Sequence, residues 1–334
     1  MAGTHRGRLL LTGGCGFIGT AQAQTALASG WRVVLLDART SGTIADDAGL
    51  LDHEGVEVVE GDVTDPSVYD RVGSVDAVVH AAGFLGVQAV TDDPLRTLDV
   101  NILGSREVAR FASRRPGTHL VLLSTSEVYG THAVAVDERA AAVVPAGAGR
   151  WSYAASKIAA EQYAHAYARA AATPVTVVRP FNVYGPGRRG SYAVGEFVRR
   201  ALAGEDLIVH GSGEHVRSWC HVRDFCAGVA AVLDTPAARG RTFNIGNPAE
   251  PLSVRALAEL VVRRSGSRSR IVTVPGSDDV VERSPDISAA REVLGFEPQI
   301  GLEVGLDDVI AAAGGDDRSA SRGVQETAEP PRLG

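Results

Sequence analysis

Tyr153 and Lys157 stand four positions apart in the run Trp151-Ser152-Tyr153-Ala154-Ala155-Ser156-Lys157. On a helix that spacing puts both side chains on one face. A lysine cation beside a phenol, helped by a second positive charge, lowers the tyrosine pKa. A tyrosinate can then take the proton of an alcohol while hydride leaves to a neighbouring acceptor. Any amphipathic helix can contain such a pair by chance. It gains meaning from Ser124-Thr125-Ser126-Glu127, which closes an apolar run. Thr125, or Ser124, could hydrogen-bond the same oxygen. Glu127 alternates onto the side of Thr125 if the segment stays extended. There it could move protons, or it could make a buried structural hydrogen bond.

An acceptor site is written earlier in the chain. Thr12-Gly13-Gly14-Cys15-Gly16-Phe17-Ile18-Gly19 follows an apolar run and opens a helical one. Gly13 and Gly16 permit a tight turn and let backbone N–H groups approach a pyrophosphate. Gly19 permits close helix–strand packing, and the helix N-terminus favours the anion. Asp37 ends the next apolar run, eighteen residues past Gly19. A carboxylate there accepts from ribose hydroxyls and repels a 2′-phosphate, which favours NAD over NADP. Arg39 lies close enough to keep NADP in view. Asp62 and Val63, after a third run, sit where they could meet the adenine edge, or Asp62 could simply cap a helix over 64–72.

These residues need a scaffold that gathers strand ends. The runs 8–12, 32–37, 56–62, 76–82, 119–125 and 174–180 are near-continuous in Val and Leu, as strands of a parallel sheet covered on both faces must be. Helical patterns fill 16–29, 65–72, 94–114 and 152–172 between them. The alternation predicts an α/β fold with a Rossmann-type doubly wound parallel sheet over 1–180. After Pro180 the pattern loosens. Helices are expected at 191–203, 223–234, 253–264 and 302–313, with short strands at 207–209, 242–245 and 271–274. This describes a smaller, partly interleaved C-terminal substrate lobe over 181–313. Residues 139–149 read as a loop over the site. The polar, Gly/Pro-rich segment 314–334 reads as a disordered tail.

Composition narrows the classes. The chain has 334 residues, 45% of them hydrophobic, and a net charge of −7. That balance is poor for general nucleic-acid binding. No stretch approaches the roughly 20 apolar residues of a membrane span, and the first apolar run is too short for a signal peptide. Cys15, Cys220 and Cys226 form no CxxC pair, and His221 has no metal-ligand spacing around it. Free thiols in a reducing cytoplasm, with no metal, are the expectation.

Taken in order, TGGCGFIG, the LLD strand end, HAAG (80–83), DVNILG (99–104), STSEVYG, SYAASK, RPFNVYGPG (179–187) and RSWCHVRD (217–224) carry a resemblance over residues 8–312. The chain resembles the extended short-chain dehydrogenase/reductase family, in its NAD-dependent epimerase/dehydratase branch. The resemblance implies tightly held NAD and a nucleotide-sugar substrate. It gives Thr125, Tyr153 and Lys157 to catalysis. Ala81, Ala82, Gly83, Asn101, Ser124, Pro180 and Val183 would line the cofactor. Asn182 and Arg217 would hold the diphosphate, for which an arginine fork is suited; a surface ion pair of Arg217 with Asp224 is the plain alternative. It also implies a homodimer through helices 94–114 and 152–172.

Members of that branch begin by oxidising C4 of the sugar. The second step sets the enzyme apart: loss of water, loss of CO2 from a uronate, or return of hydride to the other face. Glu127 bears on this, because simple 4-epimerases resembling this chain carry a small or neutral residue there. Thr-Ser-Glu is similar to the triplet of UDP-glucuronate decarboxylases and of some dehydratases acting on GDP-mannose or UDP-N-acetylglucosamine. It departs from the Asp-Glu pair of dTDP-glucose dehydratases, since Ser126 holds the Asp position. Arg188 and Arg189 could bind a uronate carboxylate or be solvated loop charges. Decarboxylation leads, with a 4-epimerase on a UDP-hexose or UDP-uronate and a dehydratase as alternatives.

Overall fold

The computed structural model describes residues 6–39, 48–145, 149–188, 192–276 and 280–323, with side chains through 314. Numbering only the strands of its main sheet, these are β1 (Gly7–Thr12), β2 (Trp31–Asp37), β3 (Val56–Glu60), β4 (Ala77–His80), β5 (His119–Leu123), β6 (Val175–Pro180) and β7 (Thr242–Ile245). They lie in the order β7-β6-β5-β4-β1-β2-β3, all parallel. The order reverses between β1 and β4, the place where open α/β sheets bind ligands beyond their strand ends.

Strand alternation explains the two-sided core. Leu9, Leu11, Val33, Leu35 and Val79 face helix Phe17–Ala28 and helix Val222–Asp234. Leu10, Val34, Leu36, Val78, Leu120 and Leu122 face the other way, towards helices Val68–Val72, Gly104–Ser113 and Ser152–Ala171. Both faces are covered, so the strands are apolar throughout rather than alternating with polar residues. Helix Ser152–Ala171 follows from its alanine content, which costs little side-chain entropy.

The second lobe has its own core around Phe197, Leu207, Val209, Leu257, Val261 and Leu306. The two lobes exchange segments. β7 and helix Val222–Asp234 come from after residue 180 yet complete the main sheet and its cover. Strand His132–Val136 comes from before it and joins a small sheet with Glu282–Pro285, Val216–Arg217 and Leu252–Ser253.

The helical pattern over 94–114 is borne out, with a π-turn at Asp99–Leu103 between helix Pro94–Leu98 and helix Gly104–Ser113. One expectation is corrected. The last helix runs Leu302–Gly323, so the backbone stays helical past 314, where composition predicts a disordered tail; 324–334 lie outside the described residues. Among the described residues no helix is long and apolar enough to cross a membrane.

Candidate active site

The glycine loop turns at Gly13, whose φ of 66° suits a residue without Cβ. A Cβ there would lie 2.7 Å from the backbone nitrogen of Ala82, and one at Gly19 would lie 2.1 Å from the oxygen of Gly13. Gly16 differs: the nearest atom to a Cβ is 3.4 Å away. It caps helix Phe17–Ala28 without a side-chain hydrogen bond, and the first turn carries no acid. The free N–H groups of that turn are therefore a site for an anion. Asp37 closes the loop from β2, accepting from the N–H of Cys15 at 3.0 Å and of Arg39 at 2.8 Å.

A buried chain of hydrogen bonds joins this loop to the π-turn. The Ala82 N–H donates to Thr12 Oγ1 at 3.3 Å, and Thr12 Oγ1 lies 2.6 Å from His80 Nδ1. His80 Nε2 lies 3.0 Å from Ser105 Oγ, which donates to the Asn101 carbonyl at 2.6 Å. Because Ser105 spends its proton on Asn101, His80 carries its own on Nε2 and accepts from Thr12. Burial and the charge of Lys157 hold this imidazole down to about 3, so it is neutral. The Asn101 side chain accepts from the Phe84 N–H at 2.7 Å and donates to Phe84 O at 3.1 Å and Ser156 Oγ at 3.0 Å. It thus clamps the Ala81-Ala82-Gly83 segment to the helix of Tyr153 and Lys157. The π-turn aims Asn101 inward, and such turns recur at functional sites.

Tyr153 and Lys157 share one helix face, as their spacing requires. Lys157 Nζ donates to Leu123 O at 3.0 Å and lies 6.0 Å from the Tyr153 ring centroid. Burial pulls the ammonium down to about 8, and Glu161 opposes that pull. The Tyr153 phenol is pushed above its ordinary value by burial and by Glu127 and Tyr192; Thr125 and Arg188 pull it back. The protein's own groups thus raise the phenol, and lowering it calls on the second positive charge that the sequence expectation includes.

Thr125 and Ser124 part ways at the end of β5. Thr125 lies close enough to pull the Tyr153 phenol down and caps a 3₁₀ turn, accepting from the Glu127 N–H at 3.2 Å. Ser124 instead donates to Glu161 Oε1 at 2.5 Å, in a buried network away from Tyr153. The 3₁₀ turn Ser126–Tyr129 also corrects the reading of Glu127. A turn, not strand alternation, brings it to Tyr153. Its Oε1 lies 3.6 Å from Nη1 of Arg283, which is 4% exposed. Arg283 also donates to Gly130 O at 3.0 Å, and its Nε has no hydrogen-bond partner among the described residues. The sequence reading missed Arg283. It arrives from the second lobe on strand Glu282–Pro285, and nothing in Glu-Arg-Ser-Pro marks it as buried.

The remaining residues divide. Arg188 packs its guanidinium 5.0 Å from the ring of Phe17 and 3.7 Å from that of Tyr192, and donates to Val183 O at 2.6 Å. It packs against these rings rather than standing as a solvated loop charge. Arg189 lies outside the described residues. Asn182, at φ 38°, donates to Ser218 O at 3.0 Å. Arg217 donates to Val216 O at 2.8 Å and Val280 O at 3.2 Å. Asp224 accepts from the Ile300 N–H at 2.9 Å, which gives that carboxylate another role than pairing with Arg217. Asp62 is exposed and accepts from the N–H and hydroxyl of Thr64, both at 2.8 Å; Val63 is core, with its carbonyl taken by the Tyr69 hydroxyl at 2.8 Å. Ile18, Pro180 and Val183 border the same strand ends, Val183 buried. Among the described residues no group of acids, histidines or cysteines could hold a metal ion.

Strand order, glycine loop and the Tyr153/Lys157/Thr125 constellation define an oxidoreductase-type site on a dinucleotide fold. The chain belongs to the NAD dependent epimerase/dehydratase family, whose pattern it matches over residues 9–246. It is 33% identical over 310 residues to UDP-glucuronic acid decarboxylase 1 of Xenopus tropicalis, covering 91% of this chain and 72% of that protein. It is 31% identical over 315 residues to UDP-N-acetyl-alpha-D-glucosaminuronate decarboxylase of Bacillus cytotoxicus, covering 91% and 96%. Its fold is similar to that of an epimerase from Methanothermobacter thermautotrophicus, with a TM-score of 0.87, 25% identity and 95% of each chain covered. It is an NAD-dependent enzyme, and its residues fit that cofactor: an uncapped helix N-terminus for the pyrophosphate, space above Gly16, and Asp37 for the ribose.

Proposed function

We propose that this enzyme decarboxylates a UDP-linked uronic acid through a 4-keto intermediate. The observation that carries the reading is the Glu127–Arg283 pair set beside Tyr153. Oxidation and return of hydride need only Tyr153, Thr125 and Lys157. An added acid paired with a buried guanidinium is surplus to that need and suits chemistry at C5 and C6. Dehydration asks for a base at C5 and an acid at C6. Here the turn offers one carboxylate, with Ser126 buried beside it. Decarboxylation needs one proton delivered to C5, and a C6 carboxylate is matched by a cation. The names of the two decarboxylase relatives support the same choice.

When bound, NAD supplies the hydride acceptor and a positive charge near the phenol. Tyr153 takes the proton of the C4 hydroxyl, with Thr125 fixing the oxygen and Lys157 favouring the phenolate. The ketone at C4 makes the uronate a β-keto acid. The C5–C6 bond breaks, its electrons pass to the C4 oxygen as an enolate, and CO2 leaves. Thr125 and Tyr153 hold that oxygen, and Glu127, held by Arg283, governs the proton that reaches C5. Tyr153 then returns its proton to the C4 oxygen as the ketone is reduced. Asn182, Arg188 and Arg217 complete the reading as ligands of the anionic end of the substrate.

A UDP-hexose or UDP-uronate 4-epimerase is the second reading, supported by the similarity to a solved epimerase. The purified enzyme, offered UDP-, GDP- and dTDP-sugars including uronates, separates the readings by product mass. Loss of CO2 supports decarboxylation, unchanged mass with a new retention time supports epimerisation, and loss of water supports dehydration. If no nucleotide-sugar is altered, the proposal fails. A cytoplasmic homodimer joined through the helices of 94–114 and 152–172 belongs to the same reading, and its mass in solution tests it.

A further inference from the structure

Lys157 is the single lysine of the sequence; every other fixed side-chain cation is an arginine. It is 3% exposed and hydrogen-bonds a neutral carbonyl, and among the described residues no carboxylate forms an ion pair with it. One helical turn on stands Glu161, 5% exposed. Arg179 grips it with Nε at 2.9 Å and Nη2 at 2.7 Å, and the Ser124 hydroxyl adds a third bond. Arg179 also donates to Tyr129 Oη at 2.8 Å, and Tyr129 donates to Asn244 Oδ1 at 2.8 Å. Tyr129 ends the turn that carries Glu127. One buried ion pair thus joins the helix of Tyr153 and Lys157 to β5, β6, β7 and the Glu127 turn.

We propose that Glu161, clamped by Arg179, is a positioning residue that keeps Lys157 charged and its helix seated against the strand ends. The inference rests on Lys157 as the support of Tyr153, not on which sugar is processed. The ionisable groups facing Lys157 are few. Tyr153 and Glu161 come from its own helix and neutral His80 from β4; the Leu123 carbonyl, Gly83 and Asn101 contribute no charge. Of these, Glu161 alone favours the ammonium. Arg179 holds that carboxylate in place, and Glu161 is the charge that raises Lys157.

The single lysine makes the test direct. Isotope-labelled lysine gives one side-chain resonance, whose titration reads Lys157 with no substrate present. The wild-type midpoint is expected near 8. In Glu161→Gln the carboxylate is gone and Arg179 is unbalanced, so the midpoint should fall by about one pH unit or more. If that variant does not fold, Glu161→Gln/Arg179→Gln removes both charges at similar shape, and a smaller fall in the same direction is expected. The alkaline limb of kcat should move with the midpoint. A midpoint unchanged from wild type in the folded variant overturns the proposal. Titrations that shift while no nucleotide-sugar reacts would leave this inference standing and defeat the reading of function.

Discussion

Oε1 of Glu127 stands 3.6 Å from Nη1 of Arg283, joining a turn of the Rossmann sheet to a strand of the second lobe. The carboxylate is partly open and the guanidinium buried, so the pair faces the site with its acid end. If it serves the step after oxidation, Glu127→Gln should still oxidise substrate but complete turnover about 10²- to 10⁴-fold more slowly, the usual scale for loss of a general acid or base. Reduced cofactor and a 4-keto product should then accumulate in single-turnover absorbance and mass measurements. Arg283→Met should give the same phenotype. Wild-type turnover by either variant would remove the pair from the mechanism.

The two side chains at the end of β5 should separate cleanly. Thr125→Val removes a hydroxyl set near Tyr153 and the cap on the Glu127 N–H, so kcat should fall steeply while stability drops by only about 0.5–2 kcal/mol. Ser124→Ala strips a bond from buried Glu161, so stability should drop by about 1–3 kcal/mol. Urea unfolding and kcat measured on both variants test the assignment; an inverted pattern would exchange the two roles.

The glycine loop yields a similar contrast. A methyl at Gly19 meets the Gly13 oxygen at 2.1 Å, and backbone must move. Gly19→Ala should therefore lower the melting temperature by an amount equivalent to about 1–3 kcal/mol. Gly16→Ala meets nothing closer than 3.4 Å and should melt close to wild type. It should, however, weaken NAD, because the methyl stands where the pyrophosphate approaches. Melting with and without NAD reads both effects, since a ligand that binds only the folded state raises the melting temperature. A full NAD-induced rise in Gly16→Ala would contradict the assigned position of the cofactor.

Much of this site is legible in the sequence because its residues lie at strand ends or one turn apart on a helix. Leu9 to Leu11 and Leu120 to Leu123 announce buried strands by composition, and Tyr153 and Lys157 announce a shared face by spacing. Arg283 is not legible: its burial comes from two lobes closing over it, and a lone arginine reads as solvated. The choice between Ser124 and Thr125 depends on which way the last residues of a strand turn. The curl at Ser126–Tyr129 decides it, without a periodic signal. β7 reads as a short strand of the second lobe, since four residues cannot say which sheet they join. Glu161 and Arg179 are ordinary helix and strand residues until their bidentate contact is seen.

Acid should unfold this protein through its histidines before its carboxylates. Burial holds His80 down to about 3 and His119 to about 4, and lowers His221 as well, against an ordinary value of 6.5. The sign is set by proton binding: below 6.5 the unfolded chain takes up protons that the folded one refuses, so stability is lost as pH falls. Carboxylates held low by arginines, such as Glu196 and Glu297, contribute in the same direction only below about 4.5. Glu138, raised by burial, opposes them weakly. Between pH 6 and 5 the unfolding free energy should therefore drop with a slope approaching two protons from His80 and His119, each worth about 1.4 kcal/mol per pH unit, with His221 adding in the same direction. His119→Asn should reduce that slope by one proton. Urea unfolding across this range measures it, and a flat profile would mean that these imidazoles are not held neutral in the folded protein.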